Sequence, residues 1–304
     1  MESHSFTNAT EERVSYALDA TYPYLTFTAS AAQTMTVETT SSYTLDESMQ
    51  YSVNGGEWVQ LTAKTAITFG GDKGTLRLRG KSANGTATSS SSRAQISFGD
   101  DNVQVACSGD IRTLVDYENY ATVSTANARF CNLFLSCGSL TSAPDLPATT
   151  LADHCYRNMF RSCTSLTVAP DLPATTLADH CYRYMFWNCP NLTMAPELHA
   201  TMLARYCYAN MFYGCTSLTT APELPATTLV DHCYYEMFQN CTNLRNIIVL
   251  ATDISAGDCL TDWVSGVASS GTFTKAASLI QGSETGQIPT GTSGIPEGWT
   301  VVNK

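Results

Sequence analysis

Three Asp-His pairs stand out among the residues whose types could do chemistry, and each directly precedes a cysteine: Asp153-His154, Asp179-His180 and Asp231-His232. A carboxylate, an imidazole and a thiol are groups that nucleophilic hydrolases combine. These pairs, however, occupy one position of a 26-residue repeat, whereas an active site is normally formed once. The chain also lacks a Gly-x-Ser-x-Gly nucleophile motif. We therefore expect no catalytic residues and no enzymatic activity.

The cysteines follow the same repeat and form two columns: Cys155, Cys181, Cys207, Cys233 and Cys259, and Cys137, Cys163, Cys189, Cys215 and Cys241. Zinc sites bring their ligands together in close-spaced pairs, but Cys155 and Cys163 are eight residues apart. A disulfide needs Cα atoms within about 7 Å of each other, which is closer than neighbouring helices of a repeat protein usually lie. We expect buried, free thiols that pack as small apolar side chains, with no metal and no cofactor.

The repeat has a length of 26 residues without insertions, and its clearest copy, from Leu151 to Thr176, reads LADHCYRNMFRSCTSLTVAPDLPATT. Two apolar columns accompany the cysteines: Phe134, Phe160, Phe186, Phe212 and Phe238, and Leu140, Leu166, Leu192, Leu218 and Leu244. A unit of this size cannot bury its own apolar face, so the units must stack on one another. We expect four to five coils over residues 128–255.

Each unit is predicted to form a helix followed by a short extended segment. Leu151, Cys155 and Met159 are four residues apart and would share one face of a helix. Two prolines in the second half of the unit would end that helix and fix an extended path. Thr150 would be the N-cap, and Asp153 would complete a variant of the capping box.

The pattern Met-Phe-x-x-Cys-x-x-Leu-Thr-x-Ala-Pro-x-Leu-Pro is carried by Met159, Phe160, Cys163 and Leu166 and by their 26-residue equivalents. It resembles the BspA-like leucine-rich repeats of bacterial surface proteins and of phage tail or fibre proteins, over residues 128–255. The resemblance implies adhesion or recognition without catalysis, and it carries over no fixed functional residues. The expected fold is multi-domain: an N-terminal all-β, immunoglobulin-like sandwich followed by an α/β leucine-rich-repeat solenoid with caps.

The flanks of the repeats divide into further segments. Residues 1–23 are polar and are predicted to be an N-terminal arm. Residues 24–107 contain about seven short alternating stretches and a hairpin signal at Asn54-Gly55-Gly56, which predict a β-sandwich. Residues 108–127 would form a helical cap on the solenoid, and residues 256–304 its C-terminal cap.

The charge balance excludes some classes of partner. The chain of 304 residues has a net charge of −11, and no lysine occurs between Lys81 and Lys275. A protein that binds the nucleic-acid backbone needs a basic stripe, so no nucleic acid is expected as a partner. No apolar stretch approaches the roughly 20 residues of a membrane helix, and we expect no membrane insertion.

Specificity is expected where the copies differ, at outward positions that carry the candidate binding residues Arg157, Arg161, Tyr184, Trp187, Tyr213 and Tyr235. Arginine and aromatic side chains are typical anchors of interfaces, although ordinary drift on a solvent face would give the same pattern. A second, acidic column would be solvated, bind calcium or face a basic partner: Asp145, Asp171, Glu197 and Glu223.

These features predict a non-enzymatic structural or recognition protein, a phage virion component (fibre or tail) that contributes to host-surface attachment. Residues Met1 to Tyr24 lack the basic start and apolar middle of a signal peptide, and free cysteines fit assembly in a host cytoplasm. The expected partners are other virion or surface proteins, a host-surface protein or glycan, and further copies of the chain. The alternative is a bacterial cell-surface adhesin whose signal peptide has been removed. A weaker alternative is an accessory module of a glycan-associated enzyme.

Overall fold

The N-terminal part of the chain folds into short strands. The computed structural model describes residues 23–284 and 286–304, so the predicted N-terminal arm lies outside the described residues except for Pro23. Eight strands precede the repeats: β1 Leu25–Ala29, β2 Gln33–Thr39, β3 Gln50–Val53, β4 Val59–Gln60, β5 Ile67–Phe69, β6 Leu76–Arg79, β7 Ala94–Phe98 and β8 Val105–Ser108. A 3-10 turn, Gly71–Lys73, lies between β5 and β6.

Alternation of apolar and polar residues explains these strands, because successive side chains of a strand point to opposite faces. In β1, for example, Leu25 and Phe27 are buried while the threonines between and after them are partly exposed. One sheet has the order β4-β3-β6-β1-β8 and a second has the order β5-β2-β7. The ring of Phe27 lies 6.5 Å from that of Phe69 and 5.7 Å from that of Phe98, so the two sheets pack against each other. This region is all-β, and neither sheet is closed.

The first sheet continues into the repeats without a break. Its last strand is β9 (Leu140–Ser142), which pairs in parallel with β8. Between them lies α1 (Thr113–Asp116), so the helical cap predicted for residues 108–127 amounts to a single turn of helix. The sheets and the repeats share one cluster of buried apolar side chains, and the predicted boundary at residue 107 falls inside β8.

The prediction of an α/β leucine-rich-repeat solenoid is wrong. The structure is nearly all β, with three small open sheets, and α1 is the only α-helix in the described part of the chain. From Asp153 to Ser162, where a helix was predicted, the backbone runs through consecutive turns. The repeats do stack, but they do so through turns and isolated bridges.

Alternate backbone amides explain why these turns replace a helix. The N–H groups of residues 155, 157, 159, 161 and 163 donate to carbonyls three residues back, as from Met159 to Tyr156 at 3.1 Å. The N–H groups of residues 154, 156, 158, 160 and 162 donate to carbonyls of the next repeat, as from Phe160 to Met185 at 3.0 Å. An α-helix uses its interior N–H groups for carbonyls four residues back within the same helix, so this segment cannot be one. We call residues 154–163 and their 26-residue equivalents the turn ribbon.

The turn ribbon depends on a left-handed backbone at every fourth residue. In the copy that begins at Leu151, φ is 62° at His154, 55° at Asn158 and 60° at Ser162. Asparagine and glycine tolerate this region best, and the equivalent positions of other copies include Asn188, Asn210, Gly214, Asn240 and Gly266, all with positive φ. Asparagine and glycine therefore mark many of the left-handed positions of the ribbon, which also accept His, Tyr, Ser and Glu.

The second half of each repeat is extended and lies parallel to its neighbour. Isolated bridges join Thr150 to Thr176 and Val168 to Met194. At the C-terminal end the pairing is continuous and forms a parallel sheet of three strands. These strands are β10 Asn246–Val249, β11 Thr272–Lys275 and β12 Thr300–Asn303. These strands follow one another at or near the period of the repeat, so stacking continues through the segment predicted to be the C-terminal cap.

The predicted capping box is also wrong, because there is no helix for Thr150 and Asp153 to cap. Thr150 lies in a β-bridge, and two members of the aspartate column link neighbouring repeats. Asp179 Oδ1 accepts the N–H of Arg205 at 3.0 Å, and Asp231 Oδ1 accepts that of Gly257 at 3.2 Å. These carboxylates therefore contribute to stacking.

Equivalent aromatic side chains form ladders inside the stack. Ring centroids in the phenylalanine column, from Phe134 to Phe238, are 5.4 to 5.7 Å apart. Those in a tyrosine column, from Tyr156 to Tyr234, are 5.7 to 6.0 Å apart. Burying one such side chain contributes about 1.5–3 kcal/mol, and an aromatic pair about 0.5–1.5 kcal/mol more. Because each interior ring contacts its counterpart on both sides, the ladders fix the register between repeats.

Both cysteine columns line this core. All twelve cysteines are free and buried, which confirms the prediction of buried thiols that pack as small side chains. In the second column the thiol donates to the phenylalanine carbonyl of the preceding repeat, at 3.1 Å from Cys189 to Phe160 and 3.0 Å from Cys241 to Phe212. Burial raises the pKa of the Cys189 thiol to about 12, so it remains a protonated donor at neutral pH.

Asn188 is exposed and has a φ of 56°. At this position the turn ribbon predicts that a glycine variant is more stable than a valine variant, the reverse of the order expected in a helix. Asn188→Gly should leave the free energy of unfolding in urea unchanged or raise it, since the equivalent residue of the next repeat is Gly214. Asn188→Val should lower it by about 1–2 kcal/mol, because a β-branched residue is strained in the left-handed region. In a helix interior valine would be favoured over glycine, so a glycine variant less stable than the valine variant would contradict the turn ribbon.

The buried thiols predict slow labelling of the folded protein. At pH 8 a thiol reagent should react with few cysteines in native buffer and with all twelve in guanidinium chloride, because buried thiols form little of the reactive thiolate. The count in guanidinium should be the same with and without prior reduction. Fewer than twelve reactive groups before reduction would show that some of these cysteines form disulfides.

Candidate binding face

Along the turn ribbon, pairs of buried side chains alternate with pairs of partly exposed ones. In the copy that begins at Leu151, the pairs 155–156 and 159–160 are buried, and the pairs 157–158 and 161–162 are partly exposed. Because successive repeats are joined by backbone hydrogen bonds, equivalent outward side chains lie next to one another at roughly 5 Å, the spacing of paired strands. We call the surface made by positions 154, 157, 158 and 161 and their 26-residue equivalents the ribbon face. All six predicted binding residues belong to it.

Three of the predicted residues form one column of this face, namely Arg161, Trp187 and Tyr213. The guanidinium carbon of Arg161 lies 4.3 Å from the centroid of the Trp187 ring, and the Trp187 and Tyr213 rings stack at 5.5 Å. Asn240 Nδ2 donates to the Tyr213 hydroxyl at 3.0 Å. Since Arg161 and Tyr213 belong to the repeats on either side of Trp187, both faces of the indole are occupied, and its edge is the part left for a partner.

Two arginines flank the ring of Tyr184, and a third lies in the same column as one of them. The guanidinium carbon of Arg183 lies 4.7 Å from the centroid of this ring and that of Arg161 lies 5.7 Å from it. Arg183 Nη2 also donates to the Tyr184 hydroxyl at 3.0 Å. Arg157 occupies the same position as Arg183 in the preceding repeat. Burial, followed by the charge of Arg183, lowers the pKa of Arg157, so these cations lie close enough to repel each other.

The backbone of Tyr184 is in the left-handed region, as it is at every fourth residue of the ribbon. Its φ is 59°, and the equivalent residues of the repeats on either side, with φ of 55° and 57°, are Asn158 and Asn210. A bulky residue in the left-handed region is strained, and such strain is found most often at functional sites. Tyr206, at another left-handed position of the ribbon, has a φ of 55°, so two tyrosines that contact Arg183 share this strain.

The structure separates Tyr235 from the other predicted residues. It occupies the same position of the repeat as Arg157 and Arg183, but the buried Ala209 lies between Arg183 and Tyr235 in that column. Its ring lies 5.7 Å from that of His232, and a hydrogen bond with Glu236 raises the pKa of its hydroxyl. Tyr235 therefore belongs to the acidic end of the ribbon face, where Glu236, Asp258 and Asp262 lie.

Sequence reasoning missed a ladder of rings along the first column of the face, made by His154, His180, Tyr206 and His232. Their centroids are 4.8, 4.8 and 4.3 Å apart. Arg183 and Arg205, neither of them predicted, flank Tyr206 at 4.7 and 5.3 Å. The sequence feature that could have predicted this ladder is the ring found at all four positions, at 26-residue intervals. The aspartate before each histidine favoured a comparison with hydrolases instead.

Two histidines of this ladder, His154 and His180, are held in the neutral form. Burial, together with His154, Arg183 and Arg157, lowers the pKa of His180 to about 4, and burial with neighbouring arginines lowers that of His154. Arg183 Nη1 lies 3.4 Å from His180 Nδ1. Because a guanidinium can only donate, Nδ1 of His180 is the acceptor. The two rings therefore add little positive charge to the face at neutral pH.

No carboxylate balances the arginines of the ribbon face. Within the described residues, no Asp or Glu oxygen lies within 4.0 Å of a guanidinium nitrogen of Arg157, Arg161, Arg183 or Arg205. The acidic column from Asp145 to Glu223 is exposed. Charge is thus segregated on a protein that is acidic as a whole.

Among the described residues, no group of three His, Cys, Asp or Glu side chains is placed to hold a metal ion, and no helix is long and apolar enough to span a bilayer. The acidic column therefore offers no arrangement for calcium within this part of the chain. Comparisons with protein families, with curated proteins and with solved structures found no match to this chain.

The lowered pKa of His180 predicts a loss of stability in mild acid. The unfolded chain binds a proton at this imidazole below about pH 6.5, the ordinary histidine pKa, whereas the folded chain does so only below about 4. The contribution to stability is therefore complete above pH 6.5 and is lost as the pH falls toward 4. His180→Phe keeps a stacked ring without the titration, so its Tm should fall less between pH 7 and pH 5 than that of the wild type.

The matched control is His199→Phe, which changes an exposed histidine outside the ribbon face. This variant should show the same pH dependence of Tm as the wild type. Equal pH dependence of His180→Phe and His199→Phe would contradict the assignment of a depressed pKa to His180.

Proposed function

We propose that this chain is a non-enzymatic recognition protein that binds its partner through the ribbon face. The observation that carries the proposal is the column Arg161-Trp187-Tyr213, in which a cation and two aromatic rings are stacked in fixed positions on the surface. Interface hot spots are enriched in these residue types, and side chains that are already ordered lose little entropy on binding. The backbone ladder beneath the column supplies that order.

We further propose a phage particle as the setting, with the chain as a fibre or tail component that contributes to host-surface attachment. The repeat pattern of Met159, Phe160, Cys163 and Leu166 supports this proposal through its resemblance to phage and bacterial surface proteins. In this setting the partners are other virion proteins, a host-surface protein or glycan, and further copies of the chain. A bacterial cell-surface adhesin is the alternative, because the same face would serve either role.

Replacing the stacked aromatics tests the proposed face. Trp187→Ala and Tyr213→Ala should each weaken attachment of the purified chain to host cells by about tenfold or more, as is typical of hot-spot residues. They should lower the free energy of unfolding by no more than about 1–2 kcal/mol. Trp187→Ala loses one cation–π contact and one aromatic pair, and Tyr213→Ala loses the same aromatic pair and the hydrogen bond from Asn240. Cell binding measured by pull-down and stability measured in urea would separate the two effects.

Met194→Ala and Met202→Ala are matched controls, because these side chains are large, apolar and exposed by 63% and 78% but do not belong to the ribbon face. Both variants should bind cells as the wild type does. Undiminished attachment of Trp187→Ala and Tyr213→Ala would refute the assignment of binding to this face.

A further inference from the structure

Two guanidinium groups flank Tyr184 and a third lies near one of them, and none forms an ion pair with a carboxylate among the described residues. Arg161 and Arg183 flank the Tyr184 ring at 5.7 and 4.7 Å, and Arg157 lies one repeat before Arg183 in the same column. The net charge of the whole chain is −11, so the separation of these arginines from carboxylates is a property of this place and does not follow from composition.

The hydrogen-bonding capacity of these guanidinium groups is largely unused. Nε of Arg157 and Nε of Arg183 are buried and have no acceptor among the described residues. The terminal nitrogens of Arg183 are partly engaged, by His180 Nδ1 and by the Tyr184 hydroxyl, which fixes the orientation of its plane. Arg157 and Arg161 make no side-chain hydrogen bond within the described chain, so their terminal N–H donors are free for a ligand.

We propose that Arg157, Arg161 and Arg183 bind one oxyanion group (a sulfate, a phosphate or a carboxylate) carried by the partner of this protein. Planar guanidinium forks match the oxygens of such groups and form charge-assisted hydrogen bonds with them. An oxyanion placed beside these cations would relieve the repulsion between Arg157 and Arg183. The inference rests on the proposed function in that the oxyanion belongs to the ligand recognised by the ribbon face.

The faces of Trp187 and Tyr206 are covered by neighbouring side chains, which excludes a ligand that would stack on either ring. Both faces of Trp187 are occupied, by Arg161 and by Tyr213, and Tyr206 is stacked between His180 and His232. A ligand that binds by stacking a base or the flat side of a sugar needs an exposed ring face. Recognition at this place therefore depends on the anionic group and on hydrogen bonds to its oxygens.

The test measures sulfate binding to the purified full chain in the absence of host cells. Sodium sulfate is titrated against sodium chloride of equal ionic strength, and the rise in Tm is converted to an affinity, since a ligand that binds only the native state stabilises it. Arg183→Gln and Arg161→Gln should each lower the sulfate affinity by about tenfold or more, the loss expected for one or more charge-assisted hydrogen bonds. Arg183→Lys, which keeps the charge but loses the fork, should lower it by an intermediate amount.

Two further variants control for net charge and for folding. Arg245→Gln removes an equal charge from a side chain outside the ribbon face, whose guanidinium lies 3.4 Å from two oxygens of Ser270, and should keep the wild-type affinity. Tyr184→Asn restores the residue type of the neighbouring repeats and should fold at least as stably as the wild type. It should still bind sulfate more weakly, because Arg183 loses the hydroxyl that orients it.

A sulfate affinity of Arg183→Gln and Arg161→Gln equal to that of Arg245→Gln would overturn the proposed site. Parallel titrations with phosphate, with glucuronate and with a sulfated oligosaccharide distinguish a free inorganic anion from a sugar-borne one as the source of the group. Host-cell attachment of the same variants is scored separately. Loss of sulfate binding with undiminished attachment would leave the oxyanion site standing and refute its part in the proposed function.

Discussion

The structure of the repeats depends on one backbone hydrogen bond, from the N–H of every second ribbon residue to a carbonyl of the next repeat along the chain. This bond removes the donors that a helix would need and leaves the remaining N–H groups to close turns within the same repeat. It also joins each repeat to the next at every second residue of the ribbon. The positive φ values at positions such as Asn158 and Gly214, and the burial of side chains in pairs, follow from this division of donors.

The same bond explains why the columns of the sequence become ladders in space. A step of one repeat along the chain moves each side chain to the equivalent place in the neighbouring unit. A phenylalanine ring therefore stacks on the phenylalanine ring of the next repeat, and a cysteine thiol donates to the phenylalanine carbonyl of the preceding repeat. Identical residues are favoured in the core, because a ring at 5.4 to 5.7 Å fits against another ring of the same shape. Outward positions carry no such requirement, and only there do the copies differ in charge and in aromatic character.

Stacking has a different consequence on the ribbon face, where it places like charges together. Arg157 and Arg183 occupy equivalent positions in neighbouring repeats, and the ladder holds them near each other despite their repulsion. A free surface arginine would swing toward a carboxylate or into solvent, whereas Arg183 is fixed by His180 and Tyr184. A site of positive charge can therefore persist on an acidic protein.

The sequence alone determined the period of the repeat, the burial of the cysteine, phenylalanine and leucine columns, and the outward position of the six candidate residues, because each follows from a repeated pattern of apolar and polar types. It did not determine the secondary structure of the unit. The spacing of Leu151, Cys155 and Met159 fits a helix and a turn ribbon equally well over so short a stretch, and the choice between them is made by hydrogen bonds to the neighbouring repeat. The contact of Arg161 with Tyr184 was decided by tertiary structure for the same reason. These residues come from two repeats, and only stacking brings them together.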